Sequence, residues 1–176
     1  MADSREQSEN DNLDDYRSRS RESRKHKHLI FSLADNAYGL PLLAVKEVIA
    51  LTEITPVPNT PAFFKGIINL RGKIISIIDM RSKLGLPGYK MVDLKTSVII
   101  TEISGFTVGA IVDEVSDVIG FTEEEIESDI DISNEINQDL ITGVGKSRDK
   151  HLVILLDIGK ILNAHELGIL KRRMVA

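Results

Sequence analysis

The sequence predicts a mainly all-β protein made of two small barrels that pack side by side. Short runs of apolar and β-branched residues recur along the chain between turn residues, a pattern typical of small barrels. Helical periodicity is scarce and is clear only near the C-terminus, at about 158–173. Part of the chain also repeats itself, as expected for two lobes of similar construction.

The strands are predicted to form hairpins in chain order. Pairs of β-rich runs are separated by short turn sequences, among them Arg71-Gly72 and Ser104-Gly105. The paired runs are 28–33 with 37–42, 67–70 with 73–79, and 97–103 with 106–115. A nearly all-apolar run at 151–157 predicts a strand that is buried on both faces.

Two segments of the chain align with later segments. YGLPLLAVKEVI (38–49) matches VGAIVDEVSDVI (108–119) at an offset of 70, which places Val48 on Val118. KIISIIDMRSKL (73–84) matches HLVILLDIGKIL (151–162) at an offset of 78. We therefore expect two lobes, at about 28–90 and 91–165, with a groove between them in which a long partner can lie.

Composition excludes several classes of function. The chain contains no cysteine, which excludes disulfides, thiolate catalysis and cysteine-ligated zinc. Its four histidines are scattered, so no metal site or cofactor is expected. No secretory signal and no apolar run of roughly 20 residues is present, so we expect a soluble cytoplasmic protein. Residues 96–145 carry twelve acids and no Lys or Arg, which disfavours nucleic acid as a partner.

Residues 1–27 are predicted to form a disordered tail, and 28–176 the folded domain. The tail consists mainly of Ser, Asn, Gln and charged residues, and its few apolar residues cannot offset the entropy lost on ordering. The stretch from Arg17 to Lys27 is basic and could contact an acidic surface. A flexible tail without a specific role is the simpler interpretation.

The segment GVGKS (143–147) suggests an alternative function, that of a nucleotide-binding switch. A phosphate-binding loop has the form Gly-x-x-x-x-Gly-Lys-Ser, and Leu140 occupies the position of its first glycine. Only three residues separate Ser147 from the next apolar strand, whereas a helical crossover needs at least about 10–12 residues. We therefore expect a hairpin turn at this segment.

The most distinctive segment is NTPAFFKGIINLRG (59–72). Its prolines fix an extended approach, and Gly66 and Gly72 allow tight backbone turns. This arrangement predicts that Arg71 lies at the tip of a rigid hairpin. The forked donors of a guanidinium there suit a carboxylate or carbonyl groups on a partner, although Arg-Gly can also be a simple turn.

The run NTPAFFKGIINLRGKIISIIDMRSKLG (59–85) resembles the signature of the CheW family. VGAIVDEVSDVI and LITGVG, followed by LVILLDIGKIL, are similar to the later blocks of that family in the same order, and the resemblance covers about 28–165. It implies two five-stranded SH3-like barrels packed side by side. It also implies a non-enzymatic adaptor that couples the cytoplasmic tips of methyl-accepting chemotaxis receptors to the regulatory domain of the histidine kinase CheA.

The same resemblance implies a set of partner-binding residues and a location. The residues are Val45, Glu47, Arg71 and Val118, with Gly66 and Gly72 shaping the hairpin. If their strand is regular, Val45 and Glu47 share one face, an apolar contact beside a carboxylate. We expect the protein to associate with membrane receptor arrays only through its partners. A coupling domain of a larger sensor remains a further alternative.

Overall fold

The computed structural model describes residues 26–87, 92–130 and 139–174. All but the last two residues of the predicted tail lie outside the described residues, and the first strand begins at Lys27. The strands are β1 (Lys27–Leu33), β2 (Asn36–Pro41), β3 (Val45–Ala50), β4 (Phe64–Leu70), β5 (Lys73–Asp79), β6 (Ser97–Ile103), β7 (Phe106–Val112), β8 (Glu114–Gly120), β9 (Ile126–Glu127), β10 (Ile141–Lys146) and β11 (Leu152–Leu156). The α-helices among the described residues are α1 (Met80–Lys83) and α2 (Ala164–Met174), and short 3₁₀ turns lie at Leu42–Ala44, Glu123–Glu125 and Ile158–Lys160.

The strands form two sheets. A six-stranded sheet has the order β8-β1-β2-β11-β10-β9, and a five-stranded sheet has the order β3-β6-β7-β5-β4. The three hairpins predicted from turn residues are confirmed as β1–β2, β4–β5 and β6–β7. The first sheet has one strand more than expected, because the two-residue strand β9 pairs with the outer side of β10.

In the internal repeat that aligns 38–49 with 108–119, each segment crosses from one sheet to the other. The run β2–β3 starts in the six-stranded sheet and ends in the five-stranded one, and the equivalent run β7–β8 crosses the opposite way. Each sheet has its parallel pair at the equivalent place, β2 with β11 and β7 with β5. The expected lobes 28–90 and 91–165 therefore do not coincide with the sheets, because each half of the chain contributes strands to both.

Alternate residues along the strands pack into different cores. In β6, Val98 and Ile100 pack inside the five-stranded sheet, whereas Ile99 and Ile103 belong to a large apolar cluster between the two sheets, the central cluster. Strand β11 divides its residues in the same way between the inside of the six-stranded sheet and the central cluster. Because strand side chains alternate with period 2, two buried faces produce the nearly continuous apolar runs of the sequence.

The five-stranded sheet closes on itself. After β3 the chain turns back, and Thr55 pairs with Ile67 of β4 through two backbone hydrogen bonds of 2.9 Å. Strands β3 and β4 are the opposite edges of this sheet. The Thr55–Ile67 bridge therefore joins the segment that follows one edge to the other edge, which is how a small barrel removes its exposed edges.

The C-terminal helix begins later than the apolar periodicity predicted. Residues Ile158–Lys160 form a 3₁₀ turn, and α2 starts at Ala164 instead of near 158. The cause is a reciprocal cap, in which the Glu166 N–H donates to Asn163 Oδ1 at 2.9 Å and the Asn163 N–H donates to Glu166 Oε2 at 2.8 Å. Within the described residues, no helix is long and apolar enough to cross a membrane.

Candidate protein-interaction site

The β4–β5 hairpin ends in a two-residue turn with Arg71 at its tip. Arg71 has a φ of 52° and Gly72 a φ of 83°, the pair of left-handed conformations that the tightest hairpin turns require. The Gly72 N–H also donates to Asn69 Oδ1 at 2.8 Å. A left-handed conformation costs a non-glycine residue roughly 1–2 kcal/mol. Glycine avoids that cost at position 72, and Arg71 is held in the strained conformation by the turn.

Glu47 of β3 and Arg71 form a two-pronged ion pair. Arg71 Nη1 and Nη2 donate to Glu47 Oε1 and Oε2, each at 2.8 Å. Hydrogen bonding to the guanidinium favours the ionised carboxylate and lowers the pKa of Glu47. The side chain of Arg71 is still 71% exposed and that of Glu47 31%. Two residues that were predicted separately as partner contacts thus form one bidentate ion pair on the surface.

A β-bulge in β3 places Val45 and Glu47 on opposite faces, so the prediction that they share a face is wrong. Val45 pairs with Thr101 and Glu47 with Ile100, which are adjacent residues of β6 and point to opposite sides. Val45 is only 9% exposed and packs in the central cluster. Val48 (39% exposed) and Ile74 (50% exposed) are exposed apolar residues of the same sheet, but Val48 follows Glu47 directly in β3 and faces the opposite side.

Gly66 lies at a second bulge, where β4 passes close to the segment that follows β3. Its φ is 140°, and a Cβ atom at this position would lie 2.1 Å from the carbonyl oxygen of Thr55. The register of the β4–β5 pair shifts between Phe64 and Gly66. Gly66 therefore permits the barrel closure that supports the hairpin, and any side chain there collides with backbone.

Val118 lies on β8 in the six-stranded sheet, whereas Glu47 and Arg71 belong to the five-stranded sheet. It is 43% exposed, close to the 39% of Val48, its equivalent in the internal repeat. The predicted partner-binding residues are therefore divided between the two sheets. It presents one exposed valine on each sheet, and Val48 was missed by the site prediction although the repeat aligns it with Val118.

A family model for the CheW-like domain matches residues 27–166, which include the hairpin tip and both valines. The chain belongs to the CheW family. It is 37% identical over 141 residues to the chemotaxis protein CheW of Klebsiella aerogenes, covering 80% of this chain and 84% of that protein. It is also 29% identical over 140 residues to the probable chemotaxis protein CheW of Rhizobium etli, covering 78% and 88%.

A solved CheW structure confirms the fold class. The scaffolding protein TtCheW from Thermoanaerobacter tengcongensis superposes with a TM-score of 0.72 at 37% identity, covering 81% of this chain and 90% of that one. The chain thus has the predicted architecture of two small SH3-like β-barrels. As a CheW-family protein it is a scaffolding adaptor of chemotaxis and not an enzyme.

The GVGKS segment of this CheW-family chain is a strand with a hairpin turn. Gly143 to Lys146 lie in β10, which pairs with β11 on one side and β9 on the other. Both glycines fill places without room for a side chain: a Cβ on Gly145 would lie 2.8 Å from the Phe121 ring, and one on Gly143 would lie 2.9 Å from the Glu127 carbonyl oxygen. Lys146 Nζ donates to Glu127 Oε2 at 2.8 Å. The backbone amides of a phosphate-binding loop must point at the ligand, whereas this segment is hydrogen-bonded as part of a sheet.

A cleft of about 470 Å³ lies on the five-stranded barrel, with apolar residues and four charged residues in its lining. The charged side chains bind one another. Lys65 Nζ is 3.6 Å from Asp79 Oδ2, and Arg81 Nη2 is 2.5 Å from Asp113 Oδ2. These groups neutralise each other in the wall of the cleft and do not form the convergent set of free polar groups typical of small-ligand sites.

Proposed function

We propose that this CheW-family chain couples the cytoplasmic tips of chemoreceptors to the histidine kinase CheA, and that it joins membrane receptor arrays through these partners. Family membership supports a scaffolding role in chemotaxis. A protein that joins two others needs two surfaces, and exposed Val48 and Val118 lie on different sheets. We assign one surface to each partner.

The observation that carries this proposal is the exposed Glu47–Arg71 pair at the tip of a rigid hairpin. Because the two charges already neutralise each other, a partner that covers them does not leave a lone buried charge. Part of the arginine fork stays open to solvent and can take a carbonyl or carboxylate of the partner. Arginine is among the residues that most often dominate binding energy in protein interfaces. Val48 on β3 and Ile74 on β5 are further exposed apolar residues of the same sheet.

The residues implied by the family resemblance divide into two roles. Glu47, Arg71 and Val118 have exposed side chains and are proposed to contact partners. Val45 is buried, and Gly66 and Gly72 have no side chain, so these three are proposed to support binding by shaping β3 and the hairpin. Substitutions in the second group should weaken binding only as far as they distort the tip.

Affinity purification of the tagged full-length chain from cells of its own source tests the proposal. We expect mass spectrometry to find a histidine kinase and chemoreceptors in the purified fraction. The variant Arg71→Ala should recover less of at least one of them, and the matched variant Lys146→Ala should recover both normally. Purification of neither a kinase nor a receptor above the level of an untagged control would contradict the proposal.

A further inference from the structure

A single residue, Asp113, connects β7 to β8, and its carboxylate accepts hydrogen bonds from residues of both sheets. Its carboxylate accepts a hydrogen bond from Arg81 Nε at 2.8 Å, one from Arg81 Nη2 at 2.5 Å, and one from the Ala34 N–H at 3.0 Å. Its own N–H donates to the Ser32 carbonyl oxygen at 3.1 Å. Arg81 follows β5 of the five-stranded sheet, whereas Ser32 and Ala34 belong to the β1–β2 hairpin of the six-stranded sheet. Asp113 therefore joins the two sheets through directional bonds.

The Arg81–Asp113 pair is also connected along the chain to both proposed partner surfaces. Strand β5 begins immediately after the Arg71-Gly72 turn and runs to Asp79, whose Oδ1 accepts the Arg81 N–H at 3.0 Å. On the other side, Asp113 precedes β8, the strand that carries Val118. One rigid strand leads from the hairpin tip to the pair, and another leads from the pair to the second surface.

The β1–β2 turn supplies the backbone N–H that binds Asp113. Ala34 and Asp35 have φ values of 49° and 67°, the left-handed pair of a two-residue hairpin turn, as at Arg71-Gly72 and Ser104-Gly105. From this turn the Ala34 N–H donates to Asp113 Oδ2 at 3.0 Å. The contact of Asp113 with the six-stranded sheet is therefore made to the backbone of a tight turn.

The internal repeat provides a comparison within the same molecule. At the offset of 70 the equivalent of Asp113 is Leu43, which is 53% exposed in the β2–β3 crossing. At the offset of 78 the equivalent of Arg81 is Gly159. The aspartates two residues before these positions make the same capping hydrogen bond. Asp157 Oδ1 accepts the Gly159 N–H at 3.0 Å, and Asp79 Oδ1 accepts the Arg81 N–H at 3.0 Å. The equivalent β2–β3 crossing is made by the 3₁₀ turn Leu42–Ala44, so the Arg81–Asp113 pair belongs to the β7–β8 crossing and is not a feature of the repeat.

We propose that Arg81 and Asp113 are positioning residues, which hold the two partner surfaces at one fixed angle so that both partners can bind at the same time. The central cluster holds the sheets together but is apolar, and apolar attraction has no preferred direction. The bonds of Asp113 to Arg81 on one sheet, and to the Ala34 N–H and the Ser32 carbonyl oxygen on the other, are directional and favour one relative orientation of the sheets. The inference rests on the proposed function for the two partner surfaces and their partners, whereas the fixed orientation of the two sheets does not depend on it.

Distance measurements between two spin labels test the structural part without any partner. The sequence has no cysteine, so Lys73→Cys and Leu152→Cys introduce the two labels, one exposed position on each sheet. In the full chain we expect one narrow distance distribution, and a broader or shifted one after Arg81→Gln. Lys46→Gln breaks the ion pair with Glu102 within the five-stranded sheet and should leave the distribution unchanged. The milder variant Arg81→Lys keeps the positive charge but loses the two-donor guanidinium. It replaces Arg81→Gln in the distance measurement if that variant does not fold.

Binding measurements test the functional part. Each partner alone should bind the folded Arg81 variant within about threefold of the parent, whereas binding of the second partner to the first complex should weaken about tenfold or more.

An unchanged distance distribution in a folded Arg81 variant would overturn the positioning role whatever the partners are. A changed distribution with unaltered assembly of all three proteins would overturn its link to function. Failure of the parent itself to bind the partners would refute the proposed function and leave the distance result standing.

Discussion

Glu47 and Arg71 form two hydrogen bonds of 2.8 Å that connect the two sides of the five-stranded sheet. Glu47 lies on the edge strand β3, and Arg71 lies at the tip of the β4–β5 hairpin, which forms the other side of the sheet. The pair therefore exists only because the sheet curls into a barrel. Barrel closure thus assembles the surface at which we place partner binding.

Gly66 and Gly72 should differ in the stability they lose on substitution by alanine. A Cβ at Gly66 meets the Thr55 carbonyl oxygen at 2.1 Å, whereas a Cβ at Gly72 meets no atom within 4 Å. We expect Gly66→Ala to lower the free energy of unfolding by about 3 kcal/mol, and Gly72→Ala by only about 1 kcal/mol, the cost of its backbone conformation. Urea denaturation measures both, and equal losses would contradict the close approach of β4 to Thr55.

Lys146→Ala should leave both folding and partner binding nearly unchanged. The lysine ends β10 and forms an ion pair with Glu127, with both side chains more than half exposed. Exposed pairs of this kind contribute little because solvent screens them. Melting curves and partner binding test the expectation, and equilibrium dialysis with labelled ATP and GTP should detect no bound nucleotide. ATP or GTP binding that Lys146→Ala abolishes would restore the nucleotide-switch hypothesis.

Stability should fall as the pH drops below about 6.5 because of His28. This side chain is 9% exposed, its ring meets Phe121 edge-on at 5.5 Å, and burial lowers its pKa from the ordinary value of 6.5. Between the folded and unfolded pKa values the unfolded chain binds a proton that the folded chain does not, so the free energy of unfolding rises with pH in that window.

Chemical denaturation at a series of pH values between about 5 and 7.5 measures this effect of His28. The variant His28→Leu should lose most of the slope in that window, since leucine does not titrate. The exposed His165→Gln should keep it, which makes it the matched control. A slope that is the same in His28→Leu as in the parent would show that another group governs the pH dependence.

The strands and hairpins could be predicted because their determinants are local. Turn pairs such as Arg71-Gly72 and Ser104-Gly105 mark the hairpins, and both have the positive φ values of tight turns. The position of Arg71 at a tip follows from the same pattern. The exchange of strands between the sheets could not be predicted, because it depends on which strands pair over long distances and the apolar runs fit either sheet equally well.

The site could be predicted only in part. Glu47 and Arg71 were identified from the resemblance, but their mutual bond depends on barrel closure over a separation of 24 residues. The bulge at Val45 reverses the side-chain alternation without any glycine or proline to mark it. Asp113 was missed because it stands within a run of apolar and acidic residues, and only the pairing with Arg81 distinguishes it from a solvated carboxylate.

Deleting residues 1–25 should change the melting temperature little. These residues lie outside the described part of the chain, and their composition offers little apolar surface to a core. Residues 26–176 begin just before β1, so the truncation leaves its pairing with β2 and β8 intact. A drop of many degrees would show that the tail packs on the domain.

Titration calorimetry of Arg71→Ala and Glu47→Ala against a receptor-tip fragment and a CheA regulatory-domain fragment tests the central claim most directly. Both variants should melt close to the parent, because the side chains are on the surface, and both should bind at least one partner about tenfold more weakly or worse. Arg71→Lys keeps the charge but not the fork and should recover only part of the affinity. If Arg71→Ala and Glu47→Ala bind both partners as tightly as the parent, the hairpin tip is a turn without a binding role.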